Sequence, residues 1–354
     1  MKSRFLDVRN CHALLPLGHG LPLAQRLDEC LRQINEKHGA LRGSIDKLLE
    51  HNEKTSNRTC GSQRYCNSPI EIAQLSYLSN GAVNTRAIER PEIGPAKLHT
   101  VLVYENGVTW RTIVPLQFLL KGWGDANNGH QCYVHTIAHN LSQVDSIEKL
   151  QARRQMDSDE YYYVGITGRN WLLRFSEHIG EMRRGGRKRF HAAWRDSLGM
   201  TDVHFISSLM DINLTYEDAM NWEELSVDRF AYGPNGLNMI PGGFKGLKFL
   251  HKHRITDRID ISLEERDRAI SDYLRQNPRK GIPNPFIAEL WKDDDFYLRV
   301  IEARPKTLSP DQVRAIRSLS QSGRTIAEIA EDVGALNEIQ VKNVLARRTY
   351  RRIH

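Results

Sequence analysis

The sequence predicts an α+β protein with a small mixed-sheet domain at its centre, an N-terminal α+β region and a C-terminal all-α unit. Two β-branched runs flank Asn106-Gly107, strands and helices follow a β-β-α-β-α order in the centre, and helix-capping patterns recur near the C-terminus. The divisions expected from these patterns are 1–130, 131–245, a helical spacer at 246–307, and 308–354.

The composition favours an intracellular protein with anionic partners. The chain has 354 residues and a formal net charge of +7, and a basic excess of this kind favours nucleic acid. Its five cysteines are scattered, which favours free thiols in a reducing compartment over a disulfide framework or a metal site. No apolar run is long enough to span a bilayer, and the N-terminus lacks the apolar core of a signal peptide. We therefore expect a soluble, cytoplasmic protein with no membrane partner.

The N-terminal region begins with a seam of apolar residues at helical spacing. The seam predicts a helical hairpin packed on its own domain or, as an alternative, a coiled-coil dimer. It consists of Leu27, Leu31, Ile34, Leu41, Ile45 and Leu48. Further along, Asn106-Gly107 suits a tight hairpin turn, so the runs on either side should pair as strands. The glycine-rich stretch Gly122–His130 is expected to be a loop at a domain boundary. No function is assigned to residues 1–130.

The central region predicts three strands, each bounded by a loop or a helix. The strands are expected around Cys132–Ile137, around Tyr161–Ile166 and from Val203. A charged helical insert is expected around Ser146–Arg154, between the first two strands. Asn170 is placed to cap the helix after the second strand. Thr215 and Asp218 form a capping box for the helix after the third strand, and Ser262 and Glu265 form another in the helical spacer.

Short motifs in this region resemble, in the same order, the signature of the GIY-YIG nuclease family. "QCYVHTI" matches the first signature strand, with Tyr133 as its tyrosine, and "YVG" matches the second, with Tyr163. Arg174 and His178 match the arginine and histidine of the next helix. The resemblance covers about residues 131–243. It departs from the family in Gln131-Cys132 and in the long connection between the two tyrosine strands.

The family's metal-binding glutamate corresponds to one of two adjacent residues in "AMNWEELSVDRF". Aligning Ala219 and Val227 with the apolar positions of this helix selects Glu223. Choosing Glu224 would place Asp228 on the buried face, which is costly for an unpaired carboxylate. A later "LN" of the family appears as Leu237-Asn238.

The resemblance implies a DNA endonuclease that hydrolyses phosphodiester bonds with Mg²⁺ or Mn²⁺ as its cofactor. The residue types suit this chemistry. Arg174 and His178 project from one side of a helix, and a planar guanidinium can clamp two phosphate oxygens. A lone carboxylate at Glu223 suits Mg²⁺. The phenols of Tyr133 and Tyr163 can orient a water, and they accept its proton only if Arg174 and a metal lower their pKa. The ordinary alternative is a solvated amphipathic helix beside packed strand tyrosines.

A basic stretch, "RRGGRKRFHAAWR", follows the Arg174 helix and contains no acid. We expect it to contact the nucleic-acid backbone, although a solubilising surface is the alternative. The expected contacts are Arg183, Arg184, Arg187, Lys188, Arg189 and, near the phosphate, His191.

The C-terminal unit resembles a helix-turn-helix of the resolvase and transposase type. Ser309 and Thr325 are placed to cap its first two helices, and Gly334 to turn the chain before a third helix that runs to Ile353. Residues expected to reach bases are Asn337, Glu338, Gln340 and Asn343, and those expected to hold phosphates are Lys342, Arg347, Arg348, Arg351 and Arg352. A three-helix protein-interaction bundle is the alternative.

The sequence therefore predicts a metal-dependent DNA endonuclease of the phage, mobile-element or homing kind, associated with the nucleoid when bound to DNA. Two alternatives remain open: a DNA-binding regulator whose nuclease fold is inactive, and a structure-selective repair or restriction nuclease. The recognition sequence, nicking or double-strand cutting, and assembly as a monomer or homodimer also remain open.

Overall fold

The structure is a computed structural model that describes residues 3–16, 20–37, 41–55, 65–103, 109–139, 160–200, 203–233, 235–278, 281–283, 291–302 and 306–353. The chain divides into two compact units, Met1–Ile282 and Pro283–His354. The turn expected at Asn106-Gly107 and the helical insert expected around Ser146–Arg154 lie outside the described residues. No helix within the described ranges has the length and apolar character needed to cross a membrane.

Three helices open the first unit: α1 (Val8–Leu14), α2 (Gly20–Lys37) and α3 (Ser44–Thr55). The predicted apolar seam along α2 and α3 is buried in the main core, together with Ile70 and Leu98 from two strands of the sheet. The helical hairpin packed on its own domain is therefore confirmed, because the seam is covered by this chain's own sheet.

Seven strands form one mixed sheet in the described part of the first unit. They are β1 (Asn67–Tyr77), β2 (Val83–Pro95), β3 (Lys97–Val103), β4 (Thr109–Pro115), β5 (His130–Ala138), β6 (Glu160–Thr167) and β7 (His204–Leu214). Their order is β2-β1-β3-β4-β7-β5-β6, and β5 is antiparallel to both of its neighbours. Strands β1 and β2 add to those that the sequence predicts. β1 is buried over most of its length, so it lacks the alternation that marks a half-buried strand.

The loop Gly122–His130, which follows α4 (Leu116–Leu119), is tied into the first unit. The buried Asn10 side chain donates hydrogen bonds to the carbonyls of Phe118 (2.8 Å) and Gly124 (2.9 Å) and accepts one from the N–H of Ala126 (2.9 Å). In addition, β4 pairs in parallel with β7. One sheet therefore contains strands from both sides of residue 130, the position at which the sequence predicts a domain boundary.

Five further helices lie in the described part of the first unit. They are α5 (Trp171–Arg183), α6 (Arg189–Ser197), α7 (Tyr216–Ser226), which continues into a π-helical turn at Val227–Ala231, α8 (Gly243–Lys252) and α9 (Leu263–Gln276). The predicted caps are confirmed. Asn170 accepts hydrogen bonds from the N–H groups of Leu172 and Leu173, and Thr215 accepts one from the N–H of Asp218.

The second unit is helical: α10 (Asp294–Glu302), α11 (Pro310–Gln321), α12 (Ile326–Asp332) and α13 (Glu338–Leu345). Ser309 and Thr325 form complete capping boxes, as predicted. Tyr297 and Leu298 of α10 pack against the core of the other helices, so this core extends N-terminally of residue 308. The prediction that the third helix runs to Ile353 is wrong. The helix ends at Leu345 because Arg347 and Tyr350 have positive φ angles of 51° and 52°, which a right-handed helix excludes.

Candidate active site

Tyr133 lies on β5 directly opposite Gly165 on β6. A Cβ atom at Gly165 would lie 2.5 Å from Oη of Tyr133, so only glycine leaves room for the phenol ring to cross β6. The ring is fully buried, and its Oη lies 3.4 Å from Nε2 of His178. The glycine of the "YVG" motif therefore sets the position of the other strand's tyrosine.

Gly165→Ala is expected to lower the free energy of unfolding by about 1–3 kcal/mol, because the new methyl group must displace the Tyr133 ring in a packed core. Urea denaturation of the purified variant would measure this loss. Gly199→Ala is the matched control, since no atom lies within 4 Å of a Cβ built at Gly199. Equal effects of the two substitutions would contradict the packing role of Gly165.

The start of α5 is fixed to β5 by Gln131, one of the residues that departs from the family signature. Its Oε1 accepts a hydrogen bond from the N–H of Trp171 (2.8 Å), and its Nε2 donates one to the carbonyl of Ala126 (2.6 Å). Because α5 begins at this point, Arg174 and His178 both face inward and are buried.

His178 is surrounded by aromatic rings and a second histidine. Its Nδ1 lies 3.0 Å from Nε2 of His191 on α6, so one ring donates a hydrogen bond to the other. The Tyr163 ring meets the His178 ring at right angles (5.2 Å between centroids) and stacks on Phe190 (4.6 Å). Asn238 bonds to both backbone polar groups of Val164 at 2.9 Å, which holds β6 in place beside this cluster.

Arg174 acts to lower the pKa of both tyrosines, as predicted, but the net shift of each pKa is upward. Burial raises the pKa of Tyr133 and Tyr163, and the smaller opposing influence of Arg174 does not reverse it. His178 shows the opposite direction, because burial and then Arg174 lower its pKa well below the ordinary value. In this arrangement the phenols stay protonated, and the imidazole of His178 stays neutral and is a weaker base than a solvated histidine.

Sequence reasoning missed His135, which is buried beside Tyr133 and bonded to Ser207 through Nδ1 (3.0 Å). Burial and Arg174 lower the pKa of His135 to about 3. His135 follows Tyr133 by two residues and so shares its face of β5, a signal that was present in the sequence.

The unfolding free energy should fall as the pH drops from 6.5 toward 4. Burial, and next Lys188, lower the pKa of His191 to about 4, and that of His135 is about 3. Below about pH 6.5 the unfolded imidazoles bind protons that the folded ones do not, so stability present above that pH is lost. At pH 5 the loss is about 2 kcal/mol for each such histidine.

Urea titrations at pH 7.5 and pH 5.0 would test this dependence. We expect His135→Gln to lose less stability between the two pH values than the parent protein. His251→Gln, at an exposed position on α8, should lose as much as the parent. An unchanged pH dependence in His135→Gln would contradict the assignment.

Arg174 is not a free cation. Its Nη1 donates to Oε2 of Glu177 (2.8 Å) and Oε1 of Glu181 (3.2 Å), and its Nη2 donates to the carboxylate of Asp267 on α9. Burial alone would raise the pKa of Asp267, but Lys188 and Arg174 lower it, so its carboxylate is charged. Glu177 and Glu181 follow Arg174 at helical spacing and were readable from the sequence. Asp267, far along the chain, was not.

Glu223 is buried and faces the same cluster from α7. It forms a two-pronged ion pair with Arg266 of α9, with distances of 2.6 and 3.0 Å, and its Oε2 accepts a hydrogen bond from the N–H of Gly243 (2.9 Å). Glu224 is half-buried and accepts a hydrogen bond from the N–H of Lys245 (3.0 Å), while Asp228 is exposed. The helix therefore has the register that selects Glu223.

The divalent cation that the resemblance implies does not fit Glu223 in this arrangement. A metal ion binds to carboxylate lone pairs, and both Glu223 oxygens already accept hydrogen bonds from Arg266. The guanidinium therefore stands where a cation facing this carboxylate would stand.

Another group with metal-ligand chemistry lies nearby in the described part of the chain. His178, Glu181 and His191 bring one potential ligand atom each within 4.8 Å of one another. However, the Glu181 carboxylate already lies 3.1 Å from Nζ of Lys188 and 3.2 Å from Nη1 of Arg174. Two adjacent cations oppose a metal ion, so we interpret this group as an ion-pair network.

The basic stretch splits into buried and exposed residues. Lys188 is buried in the cluster, which corrects its assignment to a surface that contacts the nucleic-acid backbone. His191 is also buried and lies beside His178. The residues of this stretch that remain exposed are Arg183, Arg184 and Arg187, and Arg189 is half-buried.

Three residues of the second unit that the sequence predicts to bind DNA form contacts within the unit itself. Asn337 caps α13 by accepting a hydrogen bond from the N–H of Gln340 (3.1 Å). The Gln340 side chain bonds to Leu336 (2.9 Å) and Lys306 (3.0 Å), and Arg352 bonds to Asp294 and lies over the Tyr297 ring. Among the residues predicted to contact DNA, Lys342, Arg347, Arg348 and Arg351 remain exposed, and Asn343 is half-buried.

The structure thus brings Tyr133, Tyr163, Arg174, His178 and Glu223 to one cluster, with His135, Lys188, Arg266 and Asp267 added. Tyr163 and Asp267 are half-buried, and the other members are buried. No protein-family model matches the chain, and neither a curated protein nor a solved structure matches it. Any functional assignment rests on the motifs and on this geometry.

Proposed function

We propose that this chain is a DNA endonuclease of the GIY-YIG type, dependent on a divalent cation and positioned on DNA by its second unit. The main support is that the residues matched to the family signature come together in the fold. The five residues matched to the family signature come from β5, β6, α5 and α7, and they meet in one cluster, in which Tyr163 is half-buried and the other four are buried. Packing alone does not require two phenols, an imidazole, a guanidinium and a carboxylate to share one site, and such groups are costly to bury.

In this proposal His178 is the general base for the attacking water. Burial and Arg174 lower its pKa, and a phosphate bound to Arg174 would offset the effect of that guanidinium. Tyr133, hydrogen-bonded to His178, orients the water. Arg174 donates hydrogen bonds to the non-bridging oxygens of the scissile phosphate as negative charge develops there. His191, 3.0 Å from His178, fixes the tautomer of the imidazole or receives the proton in turn.

The exposed cations of the second unit supply the affinity for DNA in this proposal. Lys342, Arg347, Arg348 and Arg351 follow or belong to α13, the helix that a helix-turn-helix places in the major groove. Asn343 is the remaining polar candidate for a base contact, because Asn337 and Gln340 are bonded within the unit and Glu338 is paired with Lys342.

A plasmid-nicking assay with purified protein, with and without Mg²⁺ or Mn²⁺, tests this function. We expect relaxed or linear plasmid only when the cation is present, and no cleavage after addition of a chelator. Cleavage at the same rate with and without the cation would contradict the metal dependence.

One observation favours the second candidate, a DNA-binding regulator with an inactive nuclease fold. Arg174 and Glu223, which the reaction needs, are both neutralised by α9. This candidate predicts a mobility shift of duplex DNA together with no nicking under any cation, whereas the nuclease proposal predicts both binding and nicking.

A further inference from the structure

Two consecutive residues of α9 cover the two charged groups that the proposed reaction needs. Arg266 is buried and forms the two-pronged ion pair with Glu223. Asp267 forms an ion pair with Arg174 and lies 3.8 Å from Nζ of Lys188. The cationic Arg266 thus pairs with the acidic Glu223, and the anionic Asp267 pairs with the basic Arg174.

The space that remains beside these pairs is small. A cavity of about 40 Å³ is lined by Tyr163, Glu223, Arg266 and Asp267, among others. This volume admits water but not a phosphodiester with its sugars. While α9 is docked, both oxygens of Glu223 accept hydrogen bonds from Arg266, and Arg174 is paired with Asp267.

We infer that α9 is an autoinhibitory element, in which Arg266 substitutes for the divalent cation on Glu223 and Asp267 substitutes for the phosphate on Arg174. This inference rests on the proposed function. Because the two residues are adjacent on one helix, a single displacement of α9 frees both partners. Cation binding and DNA binding should therefore favour each other, since each competes with one of the two blocking residues.

The contacts at the start of α9 indicate a substitution that should weaken its first turn. Ser262 and Glu265 form a capping box at its first turn, immediately before Arg266, and Ile270 and Leu274 are buried further along. Ser262→Ala removes the cap and weakens that turn without changing any charge. Ser309→Ala is the matched control, because it removes an equivalent capping box from α11 of the second unit.

Binding of Mn²⁺ to the full-length protein, followed by electron paramagnetic resonance of the free ion, provides a readout independent of cleavage. We expect Arg266→Gln to raise the Mn²⁺ affinity at least tenfold and Ser262→Ala to raise it at least twofold. Ser309→Ala and Arg268→Gln, an exposed change on α9, should match the parent. Adding Glu223→Gln to Arg266→Gln should remove the gain. An unchanged affinity in both Arg266→Gln and Ser262→Ala would overturn the inference.

Cleavage assays separate this inference from the proposed function. Autoinhibition predicts that Asp267→Asn and Ser262→Ala cleave plasmid faster than the parent, by several-fold. If the parent cleaves and both variants are slower, α9 belongs to the working site and the inference is wrong, although the nuclease proposal stands. If no variant cleaves but the Mn²⁺ affinity rises as expected, α9 does block the carboxylate and the nuclease proposal is wrong.

Discussion

Glu223→Gln is expected to reduce the rate of DNA cleavage by at least about 100-fold while leaving DNA binding nearly unchanged. The substitution keeps the shape of a side chain buried in the cluster but removes the negative charge that a divalent cation requires. Loss of one charge-stabilising group at a reacting centre commonly has an effect of this size. Single-turnover cleavage of a labelled duplex would measure the rate, and a mobility shift in a chelator would measure binding.

Glu224→Gln is the matched control for this prediction. Glu224 is the adjacent residue and also carries a carboxylate. This carboxylate accepts a hydrogen bond from the backbone N–H of Lys245 on α8. We expect Glu224→Gln to cleave like the parent. Full activity in folded Glu223→Gln combined with loss in Glu224→Gln would transfer the metal-binding role to Glu224.

Arg174→Lys should reduce cleavage to a similar extent, because an ammonium keeps the charge but cannot present the flat, two-pronged donor that a phosphate accepts. We prefer this change to alanine, which would leave Glu177, Glu181 and Asp267 without their shared cation and would destabilise the fold. Urea denaturation at pH 7.5 would show whether a loss of activity reflects chemistry or unfolding. A fully active Arg174→Lys would argue against the clamp.

Deletion of the second unit, Pro283–His354, is expected to convert a site-selective enzyme into a weak and indiscriminate one. The first unit keeps the exposed arginines Arg183, Arg184 and Arg187, which attract any DNA backbone. The deletion begins at residue 283 because α10 packs into the core of the second unit, so a cut at residue 308 would leave that helix uncovered. Binding to a selected site and to random duplex, titrated at several salt concentrations, would measure both effects.

Point variants in the full-length chain refine this test. Replacing Arg347, Arg348 and Arg351 with glutamine should weaken binding to all sequences and flatten the log–log salt dependence by about 0.9 for each phosphate that is no longer neutralised. Asn343→Ala should relax site preference with little change in that slope. Asn337→Ala is the comparison, because it removes the cap of α13 and should lower the stability of the unit. A truncated protein with unchanged preference and slope would favour the protein-interaction bundle.

The sequence alone determined the helix caps, the helical hairpin and five members of the cluster. Capping boxes at Ser262, Ser309 and Thr325 form as predicted, because a cap depends only on residues three positions apart. The helical hairpin also follows from periodicity. The short motifs identified Tyr133, Tyr163, Arg174, His178 and Glu223, and these do lie together. The period-2 and helical spacings would also have found His135, Glu177 and Glu181.

Only the tertiary structure decided the charge state and the accessibility of that cluster. The tyrosine pKa values rise because burial, which no motif encodes, outweighs one nearby guanidinium. Lys188 and His191 are turned inward by packing: Lys188 lies near Asp267 of α9 as well as Glu181, and His191 bonds to His178 of α5. Arg266 and Asp267 reach Glu223 and Arg174 across 43 and 93 positions, and no local pattern records such pairings. Sequence spacing fixes which residues share a face, whereas only packing decides what that face meets.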